Sequence, residues 1–165
     1  GDDQQIRDIN FWMLGSLSGA NWKALAPAAA LILAGMLGIL RFGAALDALS
    51  LGEADAHNLG FEPEKLKRWL IVCCALATGA AVSLTGVIGF VGLVTPHVVR
   101  MMIGPGHRAL LPTSLLLGGA LMLAADILSR TVAAPAELPI GIVTAAIGGP
   151  FFLWLLVRGR GQGGW

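Results

Sequence analysis

Asp126 falls inside an otherwise apolar stretch, and it is the first place in this sequence where chemistry could be housed. A charge at mid-bilayer costs on the order of 2.5–3.5 kcal/mol on insertion scales, so a carboxylate there needs a partner or a polar path. One reading is a coupling-ion or proton site. The other is a structural carboxylate paired one turn on with Arg130 (i, i+4), near the outer end of its helix. His97 follows Thr95-Pro96, with Arg100 three residues later. A proton relay would need a second His or carboxylate on the same stretch, and there is none. The simpler expectation is an irregular helix at Pro96, with His97 bonding the backbone groups that proline frees. Cys73 and Cys74 are adjacent, without further Cys or nearby His, so they fit packing rather than a zinc site or a disulfide framework. Gly86, Gly89 and Gly92 recur every third residue and would give a smooth strip for close backbone approach. A phosphate loop there lacks the Lys-Ser/Thr it requires, and hydrolase patterns are missing. No catalytic residue and no metal set is expected, and no ATP site on this chain.

The elements that carry these residues must live in lipid. The 165 residues are 56% hydrophobic and 13% charged, with a mean hydropathy of +0.76. Soluble domains carry about 25% charged residues. A net charge of +1 leaves no basic block for phosphates, so nucleic acid is not an expected partner. The 23 glycines lie within apolar runs rather than polar linkers, as close helix packing in a bilayer requires. No signal peptide is visible, and the chain opens on Gly1 without Met, so it is expected to begin partway through a longer protein.

A spanning helix needs about 20 mostly apolar residues. Residues 25–40, 109–128 and 140–157 each supply one. Residues 69–102 are too long for one crossing, and the Lys/Arg bias decides between one and two. With two crossings, Arg41, Lys65, Lys67, Arg68, Arg100, Arg108, Arg158 and Arg160 share one side, against Arg7, Lys23 and Arg130. With one crossing the basic residues divide almost evenly. Two crossings, reversing near residues 86–89, are therefore expected. The fold class is all-α, a polytopic helical membrane protein of about five spans. Residues 1–24 form an external segment with a short interfacial helix at 6–14, where Phe11 and Trp12 are boundary aromatics. Residues 25–165 form the spanning region, with a cytoplasmic loop at 42–68 and a cytoplasmic C-terminus.

That loop reads as short helices. Ser50 followed by Glu53 has capping-box spacing and predicts a helix start. Gly60 is placed to end it, and Pro63 suits the first turn of the next helix, with Glu62 and Glu64 at its positive end. Leu46, Leu49, Leu51 and Leu59 are awkward in a purely solvated loop and predict a docking surface.

Several stretches resemble the permease subunits of the family that imports ferric siderophores, haem and vitamin B12. They are Phe11-Trp12-Met13-Leu14-Gly15-Ser16-Leu17, then Leu49-Ser50-Leu51-Gly52-Glu53 with Ala56 and Leu59-Gly60. The most specific is Gly89-Phe90-Val91-Gly92-Leu93-Val94-Thr95-Pro96-His97-Val98-Val99-Arg100. Gly104, His107-Arg108, Ala125-Asp126, Arg130 and Glu137-Leu138-Pro139-Ile140-Gly141 follow at the family's spacing. Gly148-Gly149-Pro150-Phe151-Phe152 closes the pattern, with Gly149 where the family usually has Ala.

The resemblance implies a ten-helix permease of the bacterial inner membrane, of which this chain would hold the last five helices. It would work as a dimer with two ABC ATPase subunits, which bind ATP and Mg, and with an external substrate-binding protein. Residues 46–60 would dock on the ATPase, with Leu49, Leu51, Gly52, Glu53, Ala54, Leu59 and Gly60 as the coupling surface. Arg130, with Glu137, would face the binding protein. Gly89, Gly92, Pro96, His97, Arg100, Asp126, Pro139, Gly141 and Pro150 would be structural. The alternative function is an ion-coupled secondary transporter using Asp126.

Overall fold

In the computed structural model, residues 2–17, 21–132 and 138–160 are described, and the regular elements among them are all helices. They run α1 Asp2–Leu14, α2 Trp22–Arg41, α3 Gly43–Leu51, α4 Glu53–Asn58, α5 Pro63–Thr85, α6 Val91–Ile103, α7 His107–Val132 and α8 Ile140–Arg160. Four of them, α2, α5, α7 and most of α8, are long and apolar enough to cross a membrane.

The long apolar run divides where the charge bias placed the reversal, near residues 86–89. The last turn of α5 ends at Gly86 with φ +70, a left-handed conformation that glycine reaches without steric cost. The second piece, α6, has 13 residues. At 1.5 Å per residue it covers about 20 Å, short of the ~30 Å hydrocarbon core. The expected five spans are thus four full-length helices and one short apolar helix, which packs against α7 and α8.

Small residues set the helix spacing. A Cβ on Gly35 would lie 2.6 Å from the Cys73 carbonyl oxygen, and one on Gly38 would lie 2.6 Å from the Cys73 Sγ. α2 and α5 therefore meet backbone to backbone around buried Cys73, the packing role expected for it. The predicted Gly86–Gly89–Gly92 strip does not form one surface. Gly86 lies against the Trp12 carbonyl, whereas a Cβ on Gly89 or Gly92 would meet nothing. The spacing of three implied one helical face, but the helix stops between the first glycine and the last.

α1 closes the end of the bundle at which α5 ends and α8 begins. The Val87 N–H donates to the Trp12 carbonyl at 3.2 Å, Ser16 N–H to Thr85 at 2.8 Å and Ile140 N–H to Gly15 at 3.2 Å. Gly141 presses against the Leu14 carbonyl, where any side chain would collide. These bonds satisfy backbone groups at the α5 reversal and the start of α8, groups that would be costly to leave unpaired in lipid. Ile6, Ile9, Trp12, Met13 and Leu14 remain exposed on α1.

Candidate functional site

The segment between α2 and α5 folds into two short helices, but not by the expected signal. Ser50 Oγ donates to the Asp47 carbonyl inside α3 at 2.7 Å, so no capping box forms with Glu53. The break is made by Gly52, whose φ of +129 and ψ of 156 are open to glycine and poor for other residues. The other end follows the sequence closely. Gly60, at φ +86, donates to the His57 carbonyl at 3.0 Å, and Phe61 N–H reaches the Ala56 carbonyl at 3.0 Å. These two bonds make a Schellman motif ending α4. Pro63 then opens α5, with Glu64 in its first turn.

The resulting pair turns one face inward and one outward. Ala45, Ala48 and Ala56 are buried, while Leu51 and Leu59 are 68% and 61% exposed. Glu53 and Ala54 are also exposed, Gly52 and Leu49 are half-buried, and Gly60 lies in the exposed turn. Leu51, Leu59 and Phe61 line an open, mostly apolar groove with Ala44, Ala48, Pro105 and Gly106, bordered by the polar Asp47 and Ser50. Glu53 ion-pairs with Lys67, tying α4 to the first turns of α5.

A tie that spacing did not suggest fixes the pair to α7. Asp47 Oδ1 accepts the His107 backbone N–H at 2.7 Å and lies 2.8 Å from the His107 ring Nδ1. That backbone bond, then the ring bond, hold the Asp47 carboxyl below its ordinary pKa. Nothing in sequence brings the two residues together. A helix start after Pro105-Gly106, which offers no capping side chain, was the one available hint.

At the far end of α7, Arg130 Nε donates to Asp126 Oδ2 at 2.9 Å. The Asp126 side chain is 23% exposed, so the pair sits at the surface of the bundle, as the structural reading expected. Ser16, Leu17, Ser129, Leu138 and Ile140 complete a small recess around it. Glu137 lies outside the described residues. Pro139 precedes α8 and its carbonyl accepts the Ile142 N–H at 3.1 Å.

The His97 expectation is corrected. Its ring is exposed and makes no hydrogen bond to freed backbone groups among the described residues. Instead it borders a small apolar recess with Phe90, Leu93, Val94, Phe151, Phe152 and Leu155. Pro96 sits in the second turn of α6, where it removes a single intrahelical bond and the helix continues. Thr95 Oγ1 bonds back to the Val91 carbonyl at 2.7 Å. Arg100 is exposed, and its carbonyl accepts the Gly104 N–H at 3.0 Å. Phe90 adopts φ +66, an uncommon conformation for a bulky residue, and its ring lies over Gly148. Pro150 lies inside α8 two residues beyond.

Comparison with known proteins bears on this arrangement. The model of the FecCD transport family matches residues 1–158. The chain is 49% identical over 162 residues to the hemin transport system permease protein HmuU of Yersinia pestis, covering 98% of this chain and 48% of that protein. It is 44% identical to the cobalamin import system permease protein BtuC of Halobacterium salinarum, covering 93% and 41%. With the Fe(3+) dicitrate transport system permease protein FecD of Escherichia coli it shares 40% identity, over 95% and 49%. A solved chain described as an inward-facing conformation of a metal-chelate type ABC transporter superposes with a TM-score of 0.85 at 34% identity, covering 96% of this chain and 51% of that one. The chain spans about half the length of the curated relatives it matches. By the extent of the family match and the agreement in helical structure, the chain belongs to the FecCD transport family.

Proposed function

We propose that the chain is the C-terminal half of the permease subunit of a binding-protein-dependent ABC importer, and that the full permease carries a ferric chelate, haem or cobalamin inward. The observation that carries this reading is the exposed Leu51–Leu59 face of the α3–α4 pair, in a chain of this family. Exposed leucines on a polar loop are stable when a partner covers them. In this reading the partner is an ATPase subunit, which holds ATP and Mg and supplies the work. A second permease copy completes the path and an external binding protein delivers cargo. The chain makes no covalent bond itself. It lies in the inner membrane with its C-terminus and the α3–α4 pair on the cytoplasmic side, as the Lys/Arg bias supports. Alternating access then follows from states whose relative populations ATP shifts.

An ion-coupled carrier using Asp126 is the weaker reading, because Arg130 already neutralises that carboxylate. Asp126→Asn would abolish uptake in such a carrier and leave an ATP-driven importer working.

The test is co-purification of the full-length permease with its ATPase from membranes, for the unaltered protein and for Leu51→Asp and Leu59→Asp. Both positions are exposed, so the variants are expected to fold. Capture of the ATPase by the unaltered protein and its loss in both variants supports the proposal. Capture by all three would remove this face as the docking surface, and capture by none would remove the importer reading.

A further inference from the structure

We propose that Asp47 is a positioning residue for transport, latching the α3–α4 pair to α7 so that displacement of the pair is delivered to the far end of that helix. The inference rests on the importer reading above, in which the pair is where an ATPase acts.

Three observations carry it. First, α7 has no capping side chain of its own, since Pro105 and Gly106 precede it. The unpaired N–H groups of a helix start are ordinarily met by a nearby side-chain oxygen. Here the oxygen comes from Asp47, 60 positions earlier, bonding both the His107 backbone N–H and its ring. A carboxylate at that end is also favoured by the helix dipole.

Second, the turn that Asp47 holds is weak without it. Pro112 lies in α7 and has no N–H, so the Arg108 carbonyl loses its usual intrahelical donor. The first turn is then joined to the rest of the helix by fewer bonds, and an outside cap keeps it in register. Third, the α3 backbone is already against that turn. A Cβ on Gly43 would lie 3.4 Å from the Arg108 Cα, and Ala45, Ala48 and Leu110 are buried nearby. Among the described residues, the Asp47–His107 contact is the side-chain hydrogen bond that joins α3 to a long helix.

α7 is long enough to carry the displacement across. From His107 to Arg130 it spans about 35 Å at 1.5 Å per residue, more than the ~30 Å hydrocarbon core. One end holds the Asp47 contact and the other the Asp126–Arg130 pair. A packed helix moves as a body, so the latch converts motion of a surface loop into motion of a spanning element. Without the latch, α3 would remain attached to α2 through Phe42 but would meet α7 through small-residue packing alone, with no side-chain hydrogen bond to it among the described residues.

The experiment uses the full-length permease with its ATPase in proteoliposomes, Cys73 and Cys74 replaced by Ser and a spin label on Thr131→Cys near the end of α7. Pulsed EPR distance between the two permease copies is measured without nucleotide and after trapping with ATP and vanadate. The unaltered latch is expected to give a nucleotide-dependent distance shift. Asp47→Ala is expected to lose that shift while ATPase capture and ATP hydrolysis stay near the unaltered level. Asp47→Asn keeps an acceptor for the backbone N–H and is expected to retain part of the shift. A full shift in Asp47→Ala overturns the proposal. So does loss of the assembled complex in both variants, which would make the contact purely structural. If the unaltered protein captures no ATPase, the importer reading itself fails, and the latch fails with it.

Discussion

A single oxygen of Asp47 in α3 receives both the backbone N–H and the ring Nδ1 of His107, at 2.7 and 2.8 Å, and so closes the open start of α7. The carboxylate is an acceptor only, so the ring nitrogen facing it carries the proton. The titratable and charged groups facing Asp47 come from α7, namely the His107 ring and Arg108.

This contact predicts a pH dependence of definite sign. Asp47 in the folded protein titrates below its ordinary value of about 3.9, because the charged form is the one that is hydrogen-bonded. The stabilisation is therefore present above that ordinary value and is lost as pH falls through the lower folded value. Thermal unfolding of the full-length protein in detergent should show Asp47→Asn less stable than the unaltered protein at neutral pH. The difference should shrink as the medium is acidified below the ordinary carboxylate range. A gap that stays constant down to strong acid would show that the charge of Asp47 contributes nothing.

The Phe90–Gly148 contact predicts a coupled pair. Phe90 is held at φ +66 against Gly148, where an added Cβ would collide first with the Phe90 Cβ and then with the near edge of its ring. Gly148→Val should destabilise by about 1–3 kcal/mol, the usual cost of overpacking. Adding Phe90→Gly should recover part of that loss, because the colliding Cβ and ring are both gone, whereas Phe90→Ala keeps the Cβ and should recover less. A double-mutant cycle on thermal or urea unfolding measures the coupling, and strictly additive effects would disprove the contact.

What could be read beforehand followed from local rules and from solvent. Apolar length located α2, α7 and α8, and charge bias required the break that Gly86 makes. Gly60 ended one helix because glycine is free to take a positive φ, and Pro63 opened the next because its φ is fixed near the helical value. The capping box failed because Ser50 found a carbonyl within its own helix, and Gly52 broke the chain instead. Asp47–His107 and Phe90–Gly148 were illegible for a different reason. Each joins residues distant in sequence, and only helix packing determines that they meet.

The α2–α5 seam predicts two glycine substitutions with different rescues. A Cβ on Gly35 meets the Cys73 carbonyl and the Ala77 side chain, whereas one on Gly38 meets the Cys73 Sγ. Both Gly35→Ala and Gly38→Ala should destabilise, Gly35→Ala by more, each within about 1–3 kcal/mol. Cys73→Ala should relieve Gly38→Ala, since it removes the sulfur. It should not relieve Gly35→Ala, since the backbone carbonyl remains. Unfolding midpoints of the four variants decide this, and equal rescue at both positions would contradict the seam.

Arg130 separates structural from docking roles through the charge it pairs with. If Arg130 serves only Asp126, then Asp126→Asn and Arg130→Glu both remove one exposed i, i+4 pair. Asp126→Asn would then cost about 0.3–0.5 kcal/mol of stability, and Arg130→Glu, which sets a second carboxylate one turn from Asp126, roughly twice that, with no effect on binding-protein affinity from either. If Arg130 also meets an acidic face of an external binding protein, the two variants diverge. Asp126→Asn leaves the cation in place and should leave binding-protein affinity near its original value. Arg130→Glu places a negative charge opposite negative charge and should weaken association, most strongly at low ionic strength where screening is least. Affinity of the binding protein for the reconstituted permease, measured across a salt series, distinguishes these outcomes. Parallel behaviour of the two variants would confine Arg130 to its pair with Asp126, whereas a salt-dependent loss in Arg130→Glu alone would place it at the docking face.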